Sequence, residues 1–175
     1  KIAQWLVFDL NEKGDARWWS PDPIAAEAGS VAVPLDNQPY RADWKKALYA
    51  DGQKMLMDAG LYRKEADAML QTWWASYFET PGLRVFWIVP RATVDEILPL
   101  KVSPAPKDTV RVIIGRSEIL RPFFERRLVS DFAAVNGREK GNRWASDRFF
   151  PAYSARVKQL NAPVVGGIAG GSPSN

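Results

Sequence analysis

The residues that could do chemistry here are acids, arginines and a few hydroxyl–lysine pairs. Asp95 and Glu96 form an adjacent acidic pair inside RVFWIVPRATVDEILPL. Two carboxylates share a proton or a metal only if they point to one place. Successive helical side chains point about 100° apart, so this pair reads as the first-turn acids of a short helix, suited to its N-terminus. Ser103 and Lys107 stand four apart in a proline loop, which is the wrong spacing for a Ser-x-x-Lys nucleophile. Asp9, in FDL, reads as an outward-facing acid on a strand, and Glu65 and Asp67 flank a helical stripe as solvent-facing charges. No Gly-x-Gly-x-x-Gly, phosphate-loop or Gly-x-Ser-x-Gly pattern occurs.

The chain has 175 residues with no cysteine and no histidine. Disulfides and thiolate metal sites are therefore excluded. The commonest general base and transition-metal ligand are also missing. No cofactor is implied. Carboxylate pairs of the glycosidase type stay open.

The net charge of +4 is uneven: nine basic residues face five acids between Arg111 and Arg148. A basic C-terminal half suits an acidic partner, although mixed signs are also the normal soluble surface. Arg111, Arg116 and Arg121 lie near Trp144, but no nucleic-acid-binding motif accompanies them, which argues against nucleic acid. Eight tryptophans are unusual. Trp5, Trp18, Trp19 and Trp87 would make a sugar-stacking platform if several were exposed and coplanar; otherwise they are core.

The elements that must position these groups follow from periodicity. WLVFDL–NEKGD–ARWW predicts a hairpin, and Val31–Val33 a short strand stopped by Pro34. Asp43 is placed to cap a helix over Trp44–Asp58, with Gly60 just beyond its end and Gly52 weakening its middle. A second helix over Lys64–Phe78 carries the stripe Ala66, Met69, Leu70, Trp73, Trp74 and Tyr77. Val85–Val89 predicts a central strand covered on both faces. A short helix over Val94–Leu98 has Thr93 and Glu96 at capping-box spacing. Leu100–Val102 predicts a short strand, and Thr109–Gly115 an alternating one that Gly115 ends. Pro122 opens a helix with Leu120, Phe124, Leu128, Phe132 and Val135 in line, ended by Asn136-Gly137. Phe150, Tyr153, Val157 and Leu160 mark a last helix. This order predicts an α+β fold, a small mixed or antiparallel sheet with an αα-hairpin and C-terminal helices packed on it. One domain is expected over residues 1–160, followed by a flexible Gly/Pro/Ser tail over 161–175. No apolar run reaches 18 residues, so no transmembrane segment is expected.

Over Gly60–Pro122 the residues form a recurrent pattern: Gly60-Leu61…Glu65-Ala66…Ala68-Met69…Thr72-Trp73, then Leu98-Pro99-Leu100-x-Val102-x-Pro104-x-Pro106, then Arg111-Val112-x-x-Gly115-Arg116-x-Glu118. This third of the chain resembles a group of uncharacterised exported bacterial proteins, departing from them at Val89-Pro90, where their pattern has Leu-Pro. The resemblance implies a periplasmic or extracellular location and a β-rich region ahead of Lys1, in keeping with a start that is not Met. It brings no activity, cofactor or catalytic residue. Its only charges, Glu65, Arg111, Arg116 and Glu118, are expected to form a buried or interfacial ion network, with an unrecognised site as the lesser alternative.

The expectation is thus a non-catalytic accessory or scaffold domain whose partner is another protein in an exported or envelope-associated assembly. Trp18, Trp19, Trp87 and the four charges supply contact surface. The alternative is a carboxylate- and arginine-based hydrolase or a binding module acting on glycans.

Overall fold

The computed structural model describes residues 2, 4–20 and 33–161. They fall into two compact units, Lys1–Leu120 and Arg121–Asn175. Among the described residues the first unit holds a four-stranded antiparallel sheet, three α-helices and a 3-10 turn over Pro34–Asn37, so the α+β expectation holds. The expected tail lies almost wholly outside the described residues, as do Val31 and Ala32 of the expected short strand.

β1 (Trp5–Leu10) and β2 (Ala16–Trp19) form the expected hairpin. The Asn11 side chain accepts bonds from the Lys13 and Asp15 amides, and Gly14 takes a positive φ of 86° that a side chain would resist. The sheet order is β2-β1-β3-β4, with β3 over Gly82–Ile88 and β4 over Ile114–Ile119.

β4 lies further along the chain than the alternation predicts. The expected strand Thr109–Gly115 needs a neighbour, and β3 provides one only as far as Ile88. Pro90 has no N–H to extend the ladder. A single further bond runs from the Val89 amide to the Ile113 carbonyl, and Thr109–Val112 continue beyond any partner. Gly115 therefore sits inside β4, opposite Trp87, rather than ending it. Leu100–Val102 is likewise no strand, because nothing among the described residues pairs with it.

One sheet face carries Leu6, Phe8, Leu10, Ala16 and Phe86, and α1 (Trp44–Asp58) and α2 (Arg63–Phe78) contribute Trp44, Leu48, Tyr77 and Phe78 to the same core. The rings meet in edge and tilted geometries: Phe8 lies 5.1 Å from Phe78, and Tyr77 lies 5.1 Å from Phe86. A second cluster, Leu56, Ala66 and Leu70, joins the two helices. Gly52 serves this contact. A Cβ there would stand 3.2 Å from a Leu70 methyl, so the residue that costs helix propensity also lets α2 approach.

α1 ends as expected. Gly60 has φ 109°, its amide binds the Met57 carbonyl, and the Leu61 amide binds that of Leu56. Asp43, however, does not cap it; its carboxylate takes Arg41 Nε at 3.2 Å instead. The α2 stripe is shifted. Burial centres on Leu70, Tyr77 and Phe78, with Trp74 stacked on Trp44, so Trp73 falls at the margin and lies 44% exposed against Tyr77.

β3 is central, as expected, but its faces differ. Arg84 and Phe86 are deeply buried, whereas Leu83, Val85 and Trp87 are half-buried. α3 spans Arg91–Ile97, starting earlier than the expected Val94. Pro90 stands at its N-cap, Thr93 is already inside the helix, and the Thr93/Glu96 capping box does not form. The Ser103–Pro104 peptide in the loop that follows is cis.

In the second unit, α4 (Pro122–Ala134) begins on its proline and ends with Asn136 and Gly137 at positive φ. The Asn136 and Gly137 amides bind the Ala133 and Phe132 carbonyls. α5 runs over Phe150–Asn161. Leu128, Phe132, Trp144, Tyr153 and Val157 are buried, while Leu160, on the expected stripe, is exposed. Trp144 donates to Asp131 at 2.9 Å, and Arg156 to Glu125 at 2.7 Å.

Candidate functional site

The four charges of the recurrent pattern do not form one network; they divide three ways. Glu65 is exposed at the start of α2 and accepts the Tyr62 amide at 2.8 Å, a helix-capping role. Arg116 and Glu118 alternate along β4 and therefore share a face, pointing toward the helices. Glu118 receives Arg116 Nη2 at 2.6 Å and Arg84 Nε at 3.0 Å. Arg116 also bonds the Ser76 carbonyl at 2.6 Å and lies over the Tyr77 ring. This is a buried Arg–Glu–Arg triad whose third member, Arg84, is 1% exposed. Sequence reasoning missed Arg84 by treating its strand as an apolar run. The available signal was a lone cation in β3 and an Arg-x-Glu alternation in β4.

Arg111 belongs elsewhere. It bonds Asp95 Oδ1 at 3.1 Å, and Arg91 Nε takes Asp95 Oδ2 at 2.7 Å. Arg91 Nη1 also reaches the Thr109 carbonyl, tying α3 to the returning chain at 2.5 Å. Asp95 is thus no first-turn dipole partner, since α3 starts at Arg91; it bridges two guanidinium groups. The Arg91 bond chiefly, with help from Arg111, holds the Asp95 carboxyl below the usual carboxylate range. Asp95 and Glu96 do not converge, as the helical geometry requires.

These residues wall a shallow hollow of about 310 Å³. Arg91, Lys101 and Arg111 line it with Asp95 on the polar side; Leu100, Val102, Ala105 and Pro106 supply the apolar side. The chain leading into it exposes large apolar groups in close succession: Ile97 60%, Leu98 51%, Leu100 56% and Val102 50%. Val110, on the return, is exposed too. Pro99, Pro104 and Pro106 restrict the segment and remove amide donors.

The tryptophans make no flat platform. Strand alternation places Trp18 on the helix-covered face of the sheet and Trp5, Trp19 and Trp87 on the other. Trp5 and Trp19 meet edge to face at 81°, and all four are half-buried. Trp18 donates to Asp51 at 2.8 Å. Trp87 lies across Gly115.

Asp9 does not face solvent. It is buried on the second sheet face, where Arg17 Nε binds it at 3.0 Å across the β1–β2 pair and the Tyr40 hydroxyl donates at 2.6 Å. Burial pulls the Arg17 guanidinium down, but the Asp9 bond and the nearby Tyr40 and Asp9 charges outweigh it and leave it raised. Asp67 is partly buried and accepts the Tyr49 hydroxyl at 3.1 Å.

Among the described residues no group of three or more acidic side chains is placed to hold a metal ion, and no helix is long and apolar enough to cross a membrane. No protein family, curated protein or solved structure matches the chain.

Proposed function

We propose that this chain is a non-catalytic accessory module that docks onto another protein through the segment from Ile97 to Val110. One observation carries the reading: Ile97, Leu98, Leu100 and Val102 are each at least half exposed within six consecutive positions. Scattered surface leucines need no explanation, but a concentrated run of large apolar side chains is the signature of a contact surface. The prolines interspersed with it limit the order such a segment must acquire on binding. The carboxylates support the same reading. Asp9, Asp95 and Glu118 are each held by arginine, which leaves them acceptors already engaged rather than a free pair astride a scissile bond. A tilted, half-buried set of tryptophans gives the glycan alternative little support. Location in an exported or envelope-associated assembly remains part of this proposal and rests on the resemblance over Gly60–Pro122.

The test is gentle isolation of the full chain from its native source, in wild-type form and as Leu98→Ser/Leu100→Ser. A defined partner that co-purifies with the wild type, rebinds when both purified proteins are mixed, and fails to bind the folded double variant is the expected result. A wild-type chain that remains a lone monomer, or a partner that binds the variant equally, overturns it.

A further inference from the structure

The geometry points to the hollow between α3 and the proline loop as a recognition site for an acidic, apolar peptide segment of the docking partner: a carboxylate beside a branched aliphatic side chain. The inference rests on the docking reading and specifies what the partner must present.

Charge decides the polar half. Arg91, Lys101 and Arg111 stand against a single wall carboxylate, Asp95, so the lining carries an excess of two positive charges. The donors are only partly used. Arg91 spends Nε on Asp95 and Nη1 on the Thr109 carbonyl, and Arg111 spends Nη1 on Asp95. Among the described residues, Arg91 Nη2, Arg111 Nε and Nη2, and the Lys101 ammonium have no partner. Asp108 lies outside the lining, and its Oδ1 accepts the Thr109 amide at 2.7 Å. Arg111 is held in place, with its side chain only 17% exposed. A guanidinium fixed by one carboxylate is prepared to accept a second, because its planar fork has already lost its rotational freedom.

Shape decides the apolar half. Leu100, Val102, Ala105 and Pro106 form a wall beside these donors. At about 310 Å³ the hollow is at the lower limit of ligand pockets and open to the surface. It suits one or two side chains of a peptide better than an enclosed small molecule. Pairing an aliphatic contact with a charge-assisted bond also gives specificity, since a partner offering only one of the two leaves either the donors or the apolar wall unmatched. Solvent exposure and salt keep the charge term modest, so binding must weaken at high ionic strength.

The experiment uses the full chain, ¹⁵N-labelled, titrated with acetyl-Gly-Leu-Glu-Gly-amide and its Leu-Gln counterpart at low salt. Saturable shifts of amides within Arg91–Arg111 are expected with the Leu-Glu peptide. Binding should weaken at least fivefold for the Leu-Gln peptide, and again for the folded Lys101→Gln and Arg111→Gln variants. Equal response to both peptides, shifts centred elsewhere, no saturable shifts, or equal competition by plain acetate overturns the inference. The two proposals fail separately. A partner that needs Leu98 and Leu100 but ignores Lys101→Gln and Arg111→Gln leaves docking standing and removes the acidic-peptide site. Peptide binding at the hollow in a chain with no partner does the reverse.

Discussion

Trp87 lies so close over Gly115 on the neighbouring strand that a Cβ at position 115 would stand 2.2 Å from its indole carbon Cε2. The two residues are cross-strand partners in the β3–β4 ladder. The glycine surrenders its own side-chain packing, and the ring covers the gap. Gly115→Ala must therefore move an indole or the strand. Chemical denaturation should show a loss of about 1–3 kcal/mol, the usual cost of overpacking. In a Trp87→Ala background the same substitution should cost less than about 0.5 kcal/mol, since the clash is gone. Equal losses in both backgrounds would mean that the ring does not rest on Gly115.

The Arg84–Glu118–Arg116 triad gives a sharper asymmetry. Glu118→Gln removes the carboxylate that both buried guanidinium groups bind, and the expected loss of stability is about 3–5 kcal/mol. Arg84→Met, Arg116→Met and Glu118→Leu together remove both donors and the acceptor, and should cost much less than Glu118→Gln alone. Urea unfolding of the two variants measures both effects. A triple variant as unstable as the single one would show that the ion pairs themselves, not the lost charge balance, support the sheet.

Acid should act on the Arg91–Asp95–Arg111 bridge only after it has protonated ordinary carboxylates elsewhere. The Asp95 carboxyl is depressed in the folded chain, so its contribution is present above the carboxylate value of the unfolded chain and is lost as pH falls through the lower folded value. Side-chain carboxyl NMR should place the Asp95 midpoint below that of a free aspartate. Arg91→Gln should move it upward, and Arg111→Gln by less. A midpoint unmoved by Arg91→Gln would dissociate the carboxyl from its arginine.

The proposed docking surface predicts function without stability. Leu100→Ser and Val102→Ser alter exposed side chains, so unfolding free energy should change by no more than about 0.5 kcal/mol. Partner binding, measured by calorimetry on the purified pair, should fall at least tenfold. A large loss of stability with binding retained would reassign the segment to the core.

The amino-acid pattern by itself determined the elements that depend on near neighbours. The β1–β2 hairpin is set by Asn11 and Gly14, the end of α1 by Gly60, and the limits of α4 by Pro122 and Asn136-Gly137; each is a local backbone matter. Tertiary structure decided what periodicity cannot see. β4 starts at Ile114 because β3 offers it no partner beyond Ile88, not because of any preference in Thr109–Ile113. Asp9 turned out buried because Arg17 stands opposite it in the ladder, and that pairing needs the register of two strands. The recurrent charges separated into a cap, a buried triad and the lip of a hollow, since residues far apart in the chain, Arg84 with Glu118 and Asp95 with Arg111, meet only after folding. Local preferences act within a turn or two of chain, whereas sites are assembled by long-range packing.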